Sequence, residues 1–62
     1  MNTLKAVQNE LAQRRKALEE VVVEGRAEDY AVYKGLAGEI RGLSFAEMLI
    51  NDLVRKLEND DE

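Results

Sequence analysis

Sixty-two residues, 45% hydrophobic and 35% charged, with no proline and only three aromatics, fit one small helical domain and exclude a β-sandwich, a collagen-like chain and a disordered tail. Neither cysteine nor histidine is present, which excludes disulfides, thiolate zinc sites, Cys or His nucleophile–base pairs and a histidine pH switch. Nine basic residues against thirteen acidic ones leave a net charge of −4, much of it in the tail Glu58-Asn59-Asp60-Asp61-Glu62, which reads as a solvated terminus.

In chain order, the first element is a helix over about residues 3–24. Its apolar residues recur at Leu4, Val7, Leu11, Leu18 and Val21, the three-and-four spacing of a bundle seam, with Arg14 interrupting the stripe. Asn2 or Thr3 can cap its start. Glu24-Gly25 ends it, because glycine suits the left-handed position past a helix terminus. Arg14-Arg15-Lys16 is the chain's only basic cluster, and Glu10, Glu19 and Glu20 are spaced to pair with it along the helix.

A turn over 25–27 leads into a second helix over about 27–58, where Glu28 and Asp29 favour the positive pole of the first turn. Tyr33, Leu36, Ile40, Leu43, Ile50, Val54 and Leu57 keep heptad spacing, and Glu47 is the single polar intruder. Ser44-Phe45-Ala46-Glu47 also fits a capping box, so a break at Gly42–Ser44 competes with a continuous helix. The unbroken phase of the stripe favours continuity. The reading is therefore an all-α, single-domain helical hairpin with a long second helix, an acidic tail at 59–62, and assembly into a bundle with other subunits.

At 1.5 Å per residue the helices span roughly 32 and 48 Å. Folded about Gly25, Leu18 meets Tyr33, Leu11 meets Ile40, Val7 lies near Leu43 and Leu4 near Glu47. The first helix is then exhausted, and Ile50, Leu53, Val54 and Leu57 are expected to have nothing in their own chain to cover them.

Gly35, Gly38 and Gly42 raise a separate question, since each costs a helix about 0.8–1 kcal/mol relative to alanine. On a helical wheel Ala31, Gly35, Gly42, Ala46, Leu49 and Leu53 share one strip, with Gly38 at its edge, roughly 100° from the large-residue seam. Small residues there admit the close approach of another helix; the competing reading is a hinge. Tyr30 serves either as an interface anchor or as a cap on the turn. The expected partner interface is Tyr30, Ala31, Gly35, Gly38, Gly42, Ala46, Leu49, Ile50, Leu53, Val54 and Leu57.

No catalytic constellation is present. Ser44 and Thr3 have no histidine to activate them, and the GLAGEIRG run follows nothing strand-like and has its lysine on the wrong side for a phosphate loop. Glu24, Glu28 and Asp29 match no calcium-loop spacing. The expectation is no enzyme, no metal, no cofactor and no small-molecule ligand. No apolar run approaches the ~18 residues of a membrane span and no signal-peptide core opens the chain, so a cytosolic product without a membrane partner is expected.

The pattern Arg15, Leu18, Glu24-Gly25-Arg26-Ala27, Asp29-Tyr30, Tyr33 and Gly38-x-Ile40-x-Gly42-Leu43, covering about half the chain, resembles small helical proteins of tailed bacteriophages encoded near the portal and head genes. The resemblance implies a structural or assembly protein of the head or head–tail (portal) region, made in the host bacterial cytoplasm and carried in the virion. It would dock on other virion subunits, and it brings no catalytic residues. In length and acidic tail the chain is also similar to the plasmid RNA-binding protein Rop, a dimerising helical hairpin, although the motifs differ. That similarity implies RNA contacts through Arg14, Arg15 and Lys16, supported by Lys5, Lys34 and Arg41, while the overall charge opposes it. A small phage regulator that binds a host protein is the remaining alternative.

Overall fold

The computed structural model describes residues 3–59. It is a hairpin of two antiparallel helices, α1 (Thr3–Val23) and α2 (Tyr30–Asn59), with no strand among the described residues. The second helix is the longer, as the sequence predicts, and it runs unbroken through Gly42–Ser44. Serine in that stretch therefore caps nothing. Apart from Glu58 and Asn59 in the last turn of α2, the acidic tail lies outside the described residues, as does the Asn2 alternative for the first cap.

The connection differs from the expected tight turn at 25–27: it takes six residues, 24–29, and α2 starts at Tyr30. Both ends of this connection are closed by backbone chemistry. Gly25 sits in the left-handed region at φ 70°. Its N–H donates to the Val22 carbonyl at 3.1 Å and the Arg26 N–H donates to the Val21 carbonyl at 3.1 Å, a nested pair that satisfies carbonyls left open by the end of α1. At the other end Asp29 is the cap of α2 rather than a first-turn residue. Its carboxylate accepts from the Val32 N–H at 2.9 Å and its carbonyl from the Tyr33 N–H at 3.0 Å.

The longer connection sets a different register from the one expected. Gln8, whose neighbour Val7 is expected near Leu43, donates to Asn51 Oδ1 at 2.6 Å, about two helical turns further along. One turn beyond that contact on each helix, the start of α1 lies over Val54, which is buried at 7% exposure. This corrects the expectation that residues 50–57 lack cover: Val54 is buried and Ile50 half-buried inside their own chain, while Leu53 and Leu57 stay exposed. The excess length of α2 projects at the loop end instead. There Tyr30, Val32 and Tyr33 are exposed, and Tyr33 stacks on Tyr30 with ring centroids 6.4 Å apart rather than packing on Leu18.

The seam of α1 keeps the expected stripe except at Val7 and adds polar members to it. Leu4, Gln8, Leu11, Arg15, Leu18, Val21 and Val22 are buried or half-buried, whereas Val7 and Arg14 are exposed. Arg15, not Arg14, is the polar intruder, and it faces the intruder of α2. Its guanidinium grips Glu47 through two hydrogen bonds of 2.6 and 3.2 Å and bonds Glu19 at 2.9 Å. Side-chain exposures of 24% and 18% make Arg15–Glu47 the most enclosed ion pair of the described residues. Hydrogen bonding to Glu47 raises the Arg15 pKa further above its ordinary value, against the opposing effect of desolvation, so the guanidinium stays charged.

Three outcomes are expected in urea or thermal melts. Gly25→Ala places a Cβ in the left-handed region and costs about 1–2 kcal/mol. Asp29→Ala removes the α2 cap and costs about 1 kcal/mol. Arg15→Ala leaves the Glu47 carboxylate half-buried and unpaired, and destabilises more than Arg15→Leu combined with Glu47→Leu, which removes both charges and keeps apolar volume in the seam. Equal losses in the single and double variants would show that the pair plays no part in holding the seam.

Candidate functional site

Two helices bury one seam, and the rest of α2 is left as surface. Phe45, Leu49 and Leu53 expose 59%, 55% and 44% of their areas, and they continue the line of Gly35, Gly38 and Gly42 along one side of the helix. Nothing lies within 4 Å of the position that a Cβ would take at any of these three glycines. Their lack of a side chain therefore serves no contact inside the hairpin. A hinge is not observed either, because α2 is continuous across all three.

The predicted interface residues divide into two groups. Ala31, Gly35, Gly38, Gly42, Leu49 and Leu53 lie exposed on the strip, and Tyr30 and Leu57 are exposed near its ends. Ala46 and Ile50 are half-buried and Val54 is buried, so these three belong wholly or partly to the α1 seam. Phe45 is an addition: the same wheel that groups the glycines puts its ring beside them, and its exposure makes it the largest apolar group on the strip. Tyr30 is held by its neighbours, with its ring stacked on Tyr33 and the Lys34 ammonium 5.8 Å from its centroid. The backbone cap of α2 is Asp29 rather than Tyr30.

The polar features of the hairpin are already engaged. A shallow depression of about 330 Å³ is lined by Arg15, Ser44, Glu47, Met48, Asn51, Asp52 and Arg55. Its charged walls are paired among themselves, Arg15 with Glu47 and Arg55 with Asp52 at 2.6 Å, and Asn51 accepts from Gln8. At the loop, Glu24 pairs with Arg26 at 2.9 Å and Asp29 is occupied by capping. Among the described residues no group of three or more carboxylates is placed to hold a metal ion. In the basic cluster, Arg14 bonds Glu39 at 2.9 Å and Arg15 bonds Glu47 and Glu19, while Lys16 is exposed. No described helix is long and apolar enough to cross a membrane.

No protein-family model matches this chain, and no curated protein or solved structure matches it. The likeness to phage head-region proteins therefore rests on the residues quoted above.

Because the space at Gly35 and Gly42 is open, alanine at either position is expected to stabilise the isolated hairpin by about 0.8–1 kcal/mol through helix propensity. If the strip seats a closely approaching helix, the same substitutions weaken assembly. Denaturation in dilute solution and sedimentation at high concentration separate the two effects. A gain in stability with association unchanged would contradict a packing role for these glycines.

Proposed function

We propose that this chain is a non-enzymatic assembly protein that works by packing the outer strip of α2 against other helices. The observation that carries the reading is the exposure of Phe45, Leu49 and Leu53 in line with three glycines whose Cβ positions are open. Large apolar side chains exposed together in so small a chain are a feature of interaction surfaces. Aromatic and aliphatic anchors at the centre of such a patch carry most of the binding free energy. The pairing of Arg14, Arg15, Arg26 and Arg55 with carboxylates supports recognition by shape rather than by chemistry.

The setting we propose is the head or head–tail region of a tailed bacteriophage, with virion subunits as partners. That setting is supported by the Gly25-Arg26-Ala27 turn with Asp29-Tyr30 and by the Gly38-x-Ile40-x-Gly42-Leu43 pattern. Binding of RNA through Arg14 and Arg15 is the weaker reading, since both guanidiniums already bond carboxylates across the seam.

Quantitative mass spectrometry of purified phage particles tests the proposal. The chain is expected at a fixed copy number per particle, and Leu49→Glu is expected to reduce that number at least tenfold, as loss of about 1.4 kcal/mol or more of docking free energy requires. Absence from particles would overturn the virion setting. Retention of Leu49→Glu at full copy number would overturn the strip as the docking surface.

A further inference from the structure

We infer that the strip of α2 binds a second copy of this chain, α2 against α2 and antiparallel, about a twofold axis that passes near residues 43 and 44. This deepens the assembly reading and rests on it.

The surface area is large enough for a second copy to cover part of it. The chain exposes 4942 Å². A folded monomer of 7.0 kDa is expected to expose about 4,000 Å². The excess of about 900 Å², taken over the whole elongated chain, is at least as large as the ~800 Å² that each partner contributes to a standard interface.

The order of side chains along the strip identifies the partner. Its first half carries the holes, Gly35, Gly38 and Gly42, and its second half carries the knobs, Phe45, Leu49 and Leu53. Run antiparallel to itself, the strip sets Phe45 opposite Gly42, Leu49 opposite Gly38 and Leu53 opposite Gly35 of the second copy, over about 27 Å of helix. Each large side chain then faces an open glycine. A parallel pairing sets glycine on glycine and leucine on leucine, leaving one half empty and overfilling the other. The flanks agree with the antiparallel register. On one flank the exposed Val32 falls opposite the exposed Leu57, and on the other Lys34 falls opposite Asp52, whose carboxylate already holds Arg55. Such self-complementarity, with knob and hole exchanged between identical patches, is what an isologous twofold interface demands. A foreign partner would require only one half of the pattern.

The chain lacks cysteine, so introduced cysteines report the register without interference. Chains carrying Gly38→Cys and Leu49→Cys are mixed at about 100 µM, oxidised with diamide and analysed by mass spectrometry. Disulfides require Cα atoms within about 7 Å, so the mixed 38–49 product is expected to exceed both homodimers by at least about tenfold. The pair Gly35→Cys with Leu53→Cys repeats the test further from the axis, should Leu49→Cys disturb the fold. A dominant Leu49→Cys homodimer would overturn the register in favour of a parallel one. Sedimentation of the unmodified chain as a monomer at the same concentration would overturn self-association altogether. The strip cannot hold a second copy and another subunit at once, so a monomer in sedimentation whose Leu49→Glu variant is still lost from particles would overturn the self-pairing alone and leave docking on other subunits standing.

Discussion

Everything in this structure follows from the seam between α1 and α2 being the only one the chain can make. A helix presents an apolar stripe that must be buried, and two helices give each other one covering surface and no interior. Among the described residues only Leu18 and Val54 are buried, one toward each end of the seam. The radius of gyration is 14.7 Å, against the roughly 11 Å expected for a compact domain of this length. The long dimension of 51 Å is set by α2, and the thickness of 13–18 Å is that of a single layer of helices. The polar contacts along the seam take their meaning from this geometry. The carboxylate of Glu47 and the guanidinium of Arg15 stay in reach of water, so they link the helices without the full desolvation penalty of a deep ion pair. They also select the pairing, since a helix slid or rotated along its partner would leave both groups half-buried against apolar neighbours.

The connection determines where the hairpin remains open. Gly25 stops α1 and Asp29 starts α2, and the residues between them carry the chain around the end of the seam. Their number slides α1 toward the C-terminal end of α2, so Val54 is covered and Tyr30, Val32 and Tyr33 project past the end of α1. The surface left over is thus not an overhanging tip but a side of α2, running most of its length. A side is a better docking element than a tip because the helix under it is already anchored, and little further ordering is needed on binding.

Much of this was legible in the residues. The two helices, their order, the unbroken α2, the glycine stop and the strip of small residues all follow from local propensity and period, which depend on neighbours within one or two turns. The register did not, because it depends on how six loop residues fold, and nothing between Glu24 and Asp29 but the glycine marks the connection's length. The polar members of the α1 seam were missed for a related reason. Val7 is apolar and Gln8 and Arg15 are not, so hydrophobicity alone puts Val7 on the stripe and leaves Gln8 and Arg15 off it. The missing signal was electrostatic. Glu47 interrupts an otherwise apolar stripe in α2, and a cation at a seam position of α1 answers it; Arg15 keeps the seven-residue step of Gln8 and Val22, whereas Arg14 does not. On the outer strip the glycines drew attention to small residues, and the knob beside them, Phe45, carried the information about what they accept.

The central claim is that the hairpin is half of a structure, completed when the outer strip of α2 is covered. Its most direct measurement is the thermal midpoint by circular dichroism as a function of chain concentration. Coupled folding and association predict a midpoint that rises steadily as concentration is raised from about 1 to 100 µM, because mass action favours the covered state. A cooperative transition whose midpoint stays constant over that range would show that the two helices hold their fold alone, and would contradict the account.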